Sequence, residues 1–228
     1  MCGRIANTLP HDAMARLFGA RPDNDLPEVP QYNLCPTQPL AVVRSDGGAE
    51  ARRFVAMRWG FLPRWYQSPT DGPLLINARA ETIADKPAFR EACRQRRCLL
   101  PVTGFYEWHR TGDRKLPWFF SRTDGAPLVM AGIWQAWGEG PDSLQTVAVV
   151  TTSANALMAP VHHRMPVVIE EPDWPLWLGE AGHGAAPLMR PADEGVLQGW
   201  RVGAEVNSNR ASGPELIEPL VEDDAEPI

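Results

Sequence analysis

Proline places the tightest limit on this fold. It occupies 23 of 228 positions, about twice the usual share of roughly 5%. The prolines are scattered, with no repeat. Each one fixes φ and removes a backbone donor. Long helices and helical bundles are therefore excluded, and short elements joined by fixed turns are expected. Hydrophobic residues make up 44% of the chain, enough for a substantial core and too many for a disordered polymer.

Segments 10–20 and 87–97 read as helices, each with a proline in its first turn. Shorter helices are predicted at 153–158, 173–178 and 193–200. Runs rich in Val, Leu, Phe or Trp, bounded by Gly, Pro or Asp, predict strands at 40–44, 53–59, 74–77, 98–108, 118–121, 128–134, 146–152 and 167–170. Segments 45–51 and 110–115 read as hairpin turns. Many strands and few helices point to the α+β class: one domain of curved, barrel-like antiparallel β-structure flanked by short helices.

Net charge is −6, but six acids and no Lys or Arg lie in residues 212–228. Setting them aside leaves residues 1–211 neutral, free to carry a basic face opposite an acidic one. The division expected is a domain at 1–211 and a solvated acidic tail at 212–228. No apolar run approaches the roughly 20 residues of a membrane span. The start, Met1-Cys2-Gly3-Arg4-Ile5, is not a secretory leader. A cytoplasmic protein with four free thiols is expected. Cys93, Cys98 and His109 lack a second ligand pair at zinc-finger spacing, so no metal site is predicted. No glycine loop of the nucleotide-binding kinds is present, so no nucleotide cofactor is predicted.

Cys2 follows the initiator methionine. Removal of Met1 would set a free α-amine and a thiol on adjacent carbons. The amine, with an ordinary pKa of about 7.7–8.0, is partly neutral at pH 7. Such an aminothiol condenses with an aldehyde to an imine, and sulfur then closes a five-membered thiazolidine. That closure is intramolecular and enjoys a high effective molarity. The same pair could instead attack an amide, as N-terminal nucleophile hydrolases do.

Four further segments narrow the choice: Asn77-Ala78-Arg79-Ala80-Glu81-Thr82, Gly104-Phe105-Tyr106-Glu107-Trp108, His162-His163-Arg164-Met165-Pro166 and the opening Cys2-Gly3-Arg4 itself. With Arg58-Trp59-Gly60 and the late Pro214-Glu215-Leu216-Ile217, they resemble the SRAP family of SOS response-associated peptidases, or abasic-site processing proteins, in the family's order along nearly the whole chain. The resemblance implies covalent trapping of abasic sites in single-stranded DNA at stalled replication forks, with autoproteolytic or peptidase-type N-terminal processing and a weak strand-cleaving lyase activity. It implies single-stranded DNA as partner, no membrane, no cofactor, and a nucleoid-associated monomer. Cys2 matches the family's nucleophile. Asn77, Glu107 and His162 match the other catalytic positions, and Arg4, Arg79 and Arg164 match basic positions near DNA.

The chemistry fits those residue types. Opening an abasic sugar needs a proton at the ring oxygen, and a histidine titrating near 6.5 suits the task. His162 is preferred to His163 because it lies two residues before the arginine. Glu107, between Tyr106 and Trp108, is expected to have a raised pKa and to shuttle protons. The Asn77 amide can donate and accept, which suits it to orient the Cys2 amine or the sugar. The arginine forks match phosphate oxygens. Trp59 and Trp65 lie in a proline-broken stretch and are expected to stack on bases. Trp118, Trp134, Trp137, Trp174, Trp177 and Trp200 are read as core. Arg90, Arg94, Arg96 and Arg97 lie on a predicted helix and read equally as a phosphate-facing patch or a solvated face.

Overall fold

The computed structural model describes residues 2–47, 51–140 and 143–220. The fold is α+β, as predicted. Its centre is a closed ring of five strands: β4 (Pro39–Ser45), β5 (Arg52–Trp59), β7 (Arg97–Val102), β10 (Leu128–Trp137) and β11 (Leu144–Ser153). Successive neighbours pair antiparallel. Closure comes from a short parallel contact, Thr146 with Arg58 and Val147 with Trp59. Closing the ring removes the open edges that a flat sheet would expose.

Side chains alternate across the ring wall, as a pleated strand requires. Ala41, Val43, Leu99, Ala131, Ala148 and Val150 pack outward with Phe18, Phe89, Trp174 and Trp177 from the short helices. Leu40, Val42, Val55, Met57, Leu100, Met130, Val147 and Val149 form the other face and meet Ile5, Phe105 and Phe120. Those last residues belong to a second, five-stranded sheet: β1 (Ile5–Asn7), β3 (Gln31–Leu34), β8 (Gly104–Thr111), β9 (Arg114–Arg122) and β13 (Leu197–Arg201). Packing between the faces is close. A Cβ on Gly132 of β10 would press on Leu100 Cδ1 and Cys98 Sγ, so a larger residue there would require those buried side chains to shift.

Two short strands complete the frame: β6 (Asn77–Arg79) and β12 (Arg164–Pro166) both pair with β11. A two-residue strand, β2 (Arg21–Pro22), lies beside β5. The helices are α1 (His11–Phe18), α2 (Arg90–Gln95) and α3 (Trp174–Leu178). α1 ends at Gly19 in the left-handed conformation, whose N–H bonds back to Arg16, a standard helix stop.

Several expectations are corrected. Segment 153–158 forms turns fixed by Asn155, whose side chain accepts from the Met158 N–H. Asn155 competes with helix through its own side chain. Segment 193–200 yields the edge strand β13, because β9 offers it a full ladder of partners. Segment 98–108 is two strands broken at Thr103. Segment 167–170 makes only an isolated bridge, Val168 to Met130. The 110–115 hairpin forms as expected, with Thr111 facing Arg114. The tip of the other turn, residues 48–50, lies outside the described residues, though Ser45 pairs with Arg52 on either side of it.

The segment 212–220 is not a solvated tail. Leu216 is buried with Tyr106, Phe119 and Val206, Ile217 accepts from the Trp200 indole, and the Leu220 N–H reaches Arg201. Residues 221–228 lie outside the described residues.

Candidate active site

Pairing of β1 with β8 carries the start of the chain inward. Ile5 sits opposite Phe105, and the Tyr106 N–H bonds to the Arg4 carbonyl. Cys2, three residues before Ile5, is thereby drawn into the core at 1% exposure. The Asn77 amide anchors it, donating to the Cys2 carbonyl at 2.9 Å. Asn77 is positioned by β11, where it lies opposite Val149. The Asn77 Oδ1 is buried and has no hydrogen-bond partner among the described residues.

β11 is also what brings the distant motifs together. Its partners include Asn77 and Arg79 on β6 and Arg164 on β12. His162 enters on the turn just before β12, held by its N–H to the Met158 carbonyl. The Arg164 N–H donates to His162 Nδ1 at 2.9 Å. The Arg164 carbonyl lies 3.2 Å from the same nitrogen; the shorter N–H contact assigns Nδ1 as acceptor and the neutral ring's proton to Nε2. His163 stacks on it with centroids 4.4 Å apart. The pKa of His162 is lowered to about 4, chiefly by burial and then by the charge of the amino terminus. His162 is therefore neutral at pH 7, not poised near 6.5 as its residue type suggested.

Glu107 lies on β8 at 2% exposure, directly across the ladder from Trp118. Burial pushes its pKa up, opposed by the charge of the amino terminus. The Cys2 thiol is pushed up more strongly, first by burial and then by the Glu107 carboxylate. These couplings run among Cys2, Glu107, His162 and the amino terminus, so the four belong to one electrostatic unit. A buried carboxyl of raised pKa, a neutral imidazole and a thiol pushed toward its protonated form make an arrangement suited to moving protons in a low-dielectric site.

Two clefts carry these residues. One, of about 590 Å³, is lined by Trp65, Leu75, Asn77, Arg79, Thr82, Lys86 and Phe89 among others. The second, of about 320 Å³, is lined by Arg4, Glu107, Trp108, Arg110, Lys115, His162 and Asn207. Cys2 touches the first through Asn77 and is coupled to the second through Glu107. Sequence reading did not single out Thr82, Lys86, Phe89, Trp108, Arg110, Lys115 or Asn207 as site residues. Lysines and arginines on a hairpin carry no local mark that they face a cleft.

The three matched arginines differ in place. Arg79 is exposed at the rim of the larger cleft. Arg4 lines the smaller one, braced by Asn33 Oδ1 at 2.5 Å and the Val206 carbonyl at 2.9 Å, with its guanidinium over Trp108. Arg164 is buried at 8% exposure. It forks onto Glu81 at 2.7 and 2.9 Å and bonds the Thr151 carbonyl at 2.6 Å. These contacts turn it toward the protein, away from the phosphate role expected of it. Trp59 is likewise corrected. It is fully buried, with its indole N–H on the Ile76 carbonyl, and presents no face to a base. Its partner in that expectation, Trp65, is 56% exposed at the larger cleft.

On the predicted arginine helix, Arg96 is tied to Glu91 and Gln135, and Arg97 to the Trp177 carbonyl. Arg90 and Arg94 remain exposed. Among the described residues no three His, Cys, Asp or Glu side chains gather as a metal-binding group, and no helix is long and apolar enough to cross a membrane.

The SOS response associated peptidase (SRAP) profile matches residues 1–209. The chain belongs to the SRAP family. Among SRAP relatives, it is 34% identical to the abasic site processing protein YoqW of Bacillus subtilis over 227 residues, covering 96% of this chain and 99% of that one. It is 31% identical to the abasic site processing protein YedK of Escherichia coli, covering 96% and 100%. A crystal structure of a Bacteroides thetaiotaomicron protein superposes with a TM-score of 0.83 at 25% identity, covering 96% of this chain and all of that one. Four of the segments in which the sequence resembles that family are carried by β1, β6, β8 and β12 or adjoin them.

Proposed function

We propose that, after Met1 is removed, Cys2 condenses with the ring-opened aldehyde of an abasic site in single-stranded DNA and holds it as a thiazolidine, shielding the lesion during replication. The observation that carries this reading is the placement of Cys2: buried, held through its carbonyl by Asn77 of one cleft, and coupled to Glu107 of raised pKa in the other, whose lining also holds the neutral imidazole of His162. The names of the relatives, abasic site processing proteins, support the same substrate.

The steps follow from the groups present. His162 Nε2–H donates a hydrogen bond to the sugar ring oxygen as the ring opens. A neutral imidazole stabilises developing negative charge in this way without having to titrate. The α-amine adds to the aldehyde carbon, giving a carbinolamine. Glu107 in its acid form protonates the departing hydroxyl, and water leaves as the protonated imine (iminium) forms, its nitrogen keeping its hydrogen. The Cys2 thiol then adds to the iminium carbon and passes its proton to the Glu107 carboxylate, leaving a neutral ring N–H and the acid restored. One water is lost in all. Asn77 holds the Cys2 carbonyl, fixing amine and thiol in the geometry that closure requires. The imine is also the point from which slow strand cleavage can proceed.

The buried, protonated thiol weighs against the peptidase alternative. A cysteine peptidase needs a resting thiolate, and burial opposes one here. An amine-first route has no such need.

The test is denaturing electrophoresis and intact mass after incubation with an oligonucleotide carrying one abasic site, for wild type, Cys2→Ala and an undamaged control. An adduct that needs both Cys2 and the lesion, at the summed mass less one water, is expected. Protein that has lost Met1 yet forms no adduct refutes the reading. Peptide turnover that depends on Cys2 would then favour an N-terminal nucleophile peptidase, and DNA retention that survives Cys2→Ala would favour a noncovalent binding module.

A further inference from the structure

The tryptophans of this chain differ in what holds their indole N–H groups. Trp59, Trp108, Trp137, Trp174, Trp177 and Trp200 each donate to a backbone or side-chain oxygen. Trp118 does not. Its Nε1 is sealed from water and has no hydrogen-bond partner among the described residues. A buried indole N–H ordinarily finds an acceptor, and leaving one without is destabilising.

Its place in the sheet says which acceptor is near. Trp118 on β9 lies directly opposite Glu107 on β8, so the two side chains leave the same face. Opposed residues have Cβ atoms about 4.5–5.5 Å apart, a gap that an indole and a carboxyl together can bridge. Trp118 packs against the cluster that contains Cys2, Phe105 and Phe120. Its ring stacks on Phe120, with centroids 6.3 Å apart and planes 20° from parallel, which restricts how the indole turns.

The other groups around Glu107 are charged or titratable. Cys2 and the amino terminus lie on one side and His162 and His163 come from the turn before β12, while Arg4, Arg110 and Lys115 line the cleft. His109, two residues along β8, is turned to the Pro160 carbonyl, and Arg201 continues the row beyond Trp118 on β13. Trp118 differs from all of these, because an indole donates a hydrogen bond without carrying charge.

We infer that Trp118 is a positioning residue for the acid, its indole N–H donating to the Glu107 carboxylate once that group has given its proton to the departing hydroxyl. The inference rests on the reading that Cys2 condenses with an abasic aldehyde, and deepens it. No proton leaves the indole. The N–H stabilises the carboxylate while the iminium stands, and keeps it in one orientation until it takes the thiol proton.

Trp118→Phe removes the N–H and keeps a ring in the stack. Single-turnover adduct formation with an abasic oligonucleotide is measured across pH for wild type and this variant. A donor to a carboxylate lowers its pKa. Losing it should therefore move the descending limb set by Glu107 to higher pH by about one pH unit, and slow the plateau about 10-fold. A slower reaction with an unmoved limb is what lost packing alone gives, and it overturns the inference. A second measurement on wild type holds even where Trp118→Phe fails to fold. In protein carrying isotope-labelled tryptophan, the Trp118 indole N–H proton resonance should move downfield as Glu107 ionises, and stay fixed in Glu107→Gln. A wild-type resonance that ignores the titration overturns the inference whatever the kinetics. If wild type forms no adduct while the resonance follows Glu107, the functional reading falls and the bond from Trp118 to Glu107 is supported on its own.

Discussion

The two clefts linked to Cys2, one through Asn77 and one through Glu107, are made of opposite materials. The larger has Leu75 and Phe89 in its wall, an exposed Trp65, and the amide of Asn77 at its inner end. The smaller has Arg4, Arg110 and Lys115 around the buried carboxyl of Glu107 and the imidazole of His162. The groups proposed to move protons therefore line the cationic cleft, and Asn77, which bonds the Cys2 carbonyl, lines the apolar one. Burial and exposure separate the two kinds of residue. Glu107 and His162 are withdrawn from water, which shifts their pKa values. Those suited to gripping a ligand stand at the rim.

Removing the acid should test the proton-moving side most severely. Glu107→Gln is expected to slow adduct formation about 100-fold, within the usual range for a lost acid–base group, measured by single-turnover electrophoresis. The same change should raise the thermal midpoint at neutral pH. A carboxyl whose folded pKa is raised adds stability below its unfolded pKa and loses it as pH rises through the folded value, and Gln does not ionise. A variant that is both slower and less stable would contradict the burial of Glu107 as the source of its tuning.

His162 should behave with the opposite sign. Its folded pKa of about 4 lies below the ordinary value. The stability it contributes is present above about 6.5 and is lost as pH falls toward 4. Thermal midpoints of wild type should drop across that window, and His162→Gln should flatten the drop. An unchanged profile would mean that His162 titrates normally.

A smaller effect separates the buried arginine from the exposed one. Glu81→Gln breaks the fork on Arg164 and should cost about 2 kcal/mol in chemical denaturation. It should also loosen the Arg164 N–H that fixes His162. Arg79→Gln should leave stability within about 0.5 kcal/mol and weaken DNA binding a few-fold. Reversed outcomes would place the phosphate contact at Arg164 after all.

The smallest change expected is on the apolar side. Trp65→Ala should weaken binding of single-stranded DNA by about 1 kcal/mol, at the low end for a lost base stack, with little salt dependence and no loss of fold. A marked change in salt slope would erase the distinction between the two clefts.

The amino-acid sequence by itself determined the position of Cys2 directly after the initiator methionine, the motifs around Asn77, Glu107 and His162, and most of the strands of the ring. These are local properties. A thiol beside an amine, a turn residue or an alternating apolar run is written in a few consecutive residues. Only the tertiary structure decided that β11 takes β6 along one edge and β12 along the other, and that segment 193–200 forms a strand because β9 offered it a ladder. It also decided which of two similar side chains was sealed and which was left open, Trp59 or Trp65, Arg164 or Arg79. Burial and pKa are sums over neighbours drawn from distant parts of the chain. Glu81 holds Arg164 across 83 residues, and Asn77 holds Cys2 across 75. No stretch of sequence short enough to carry a motif contains both partners.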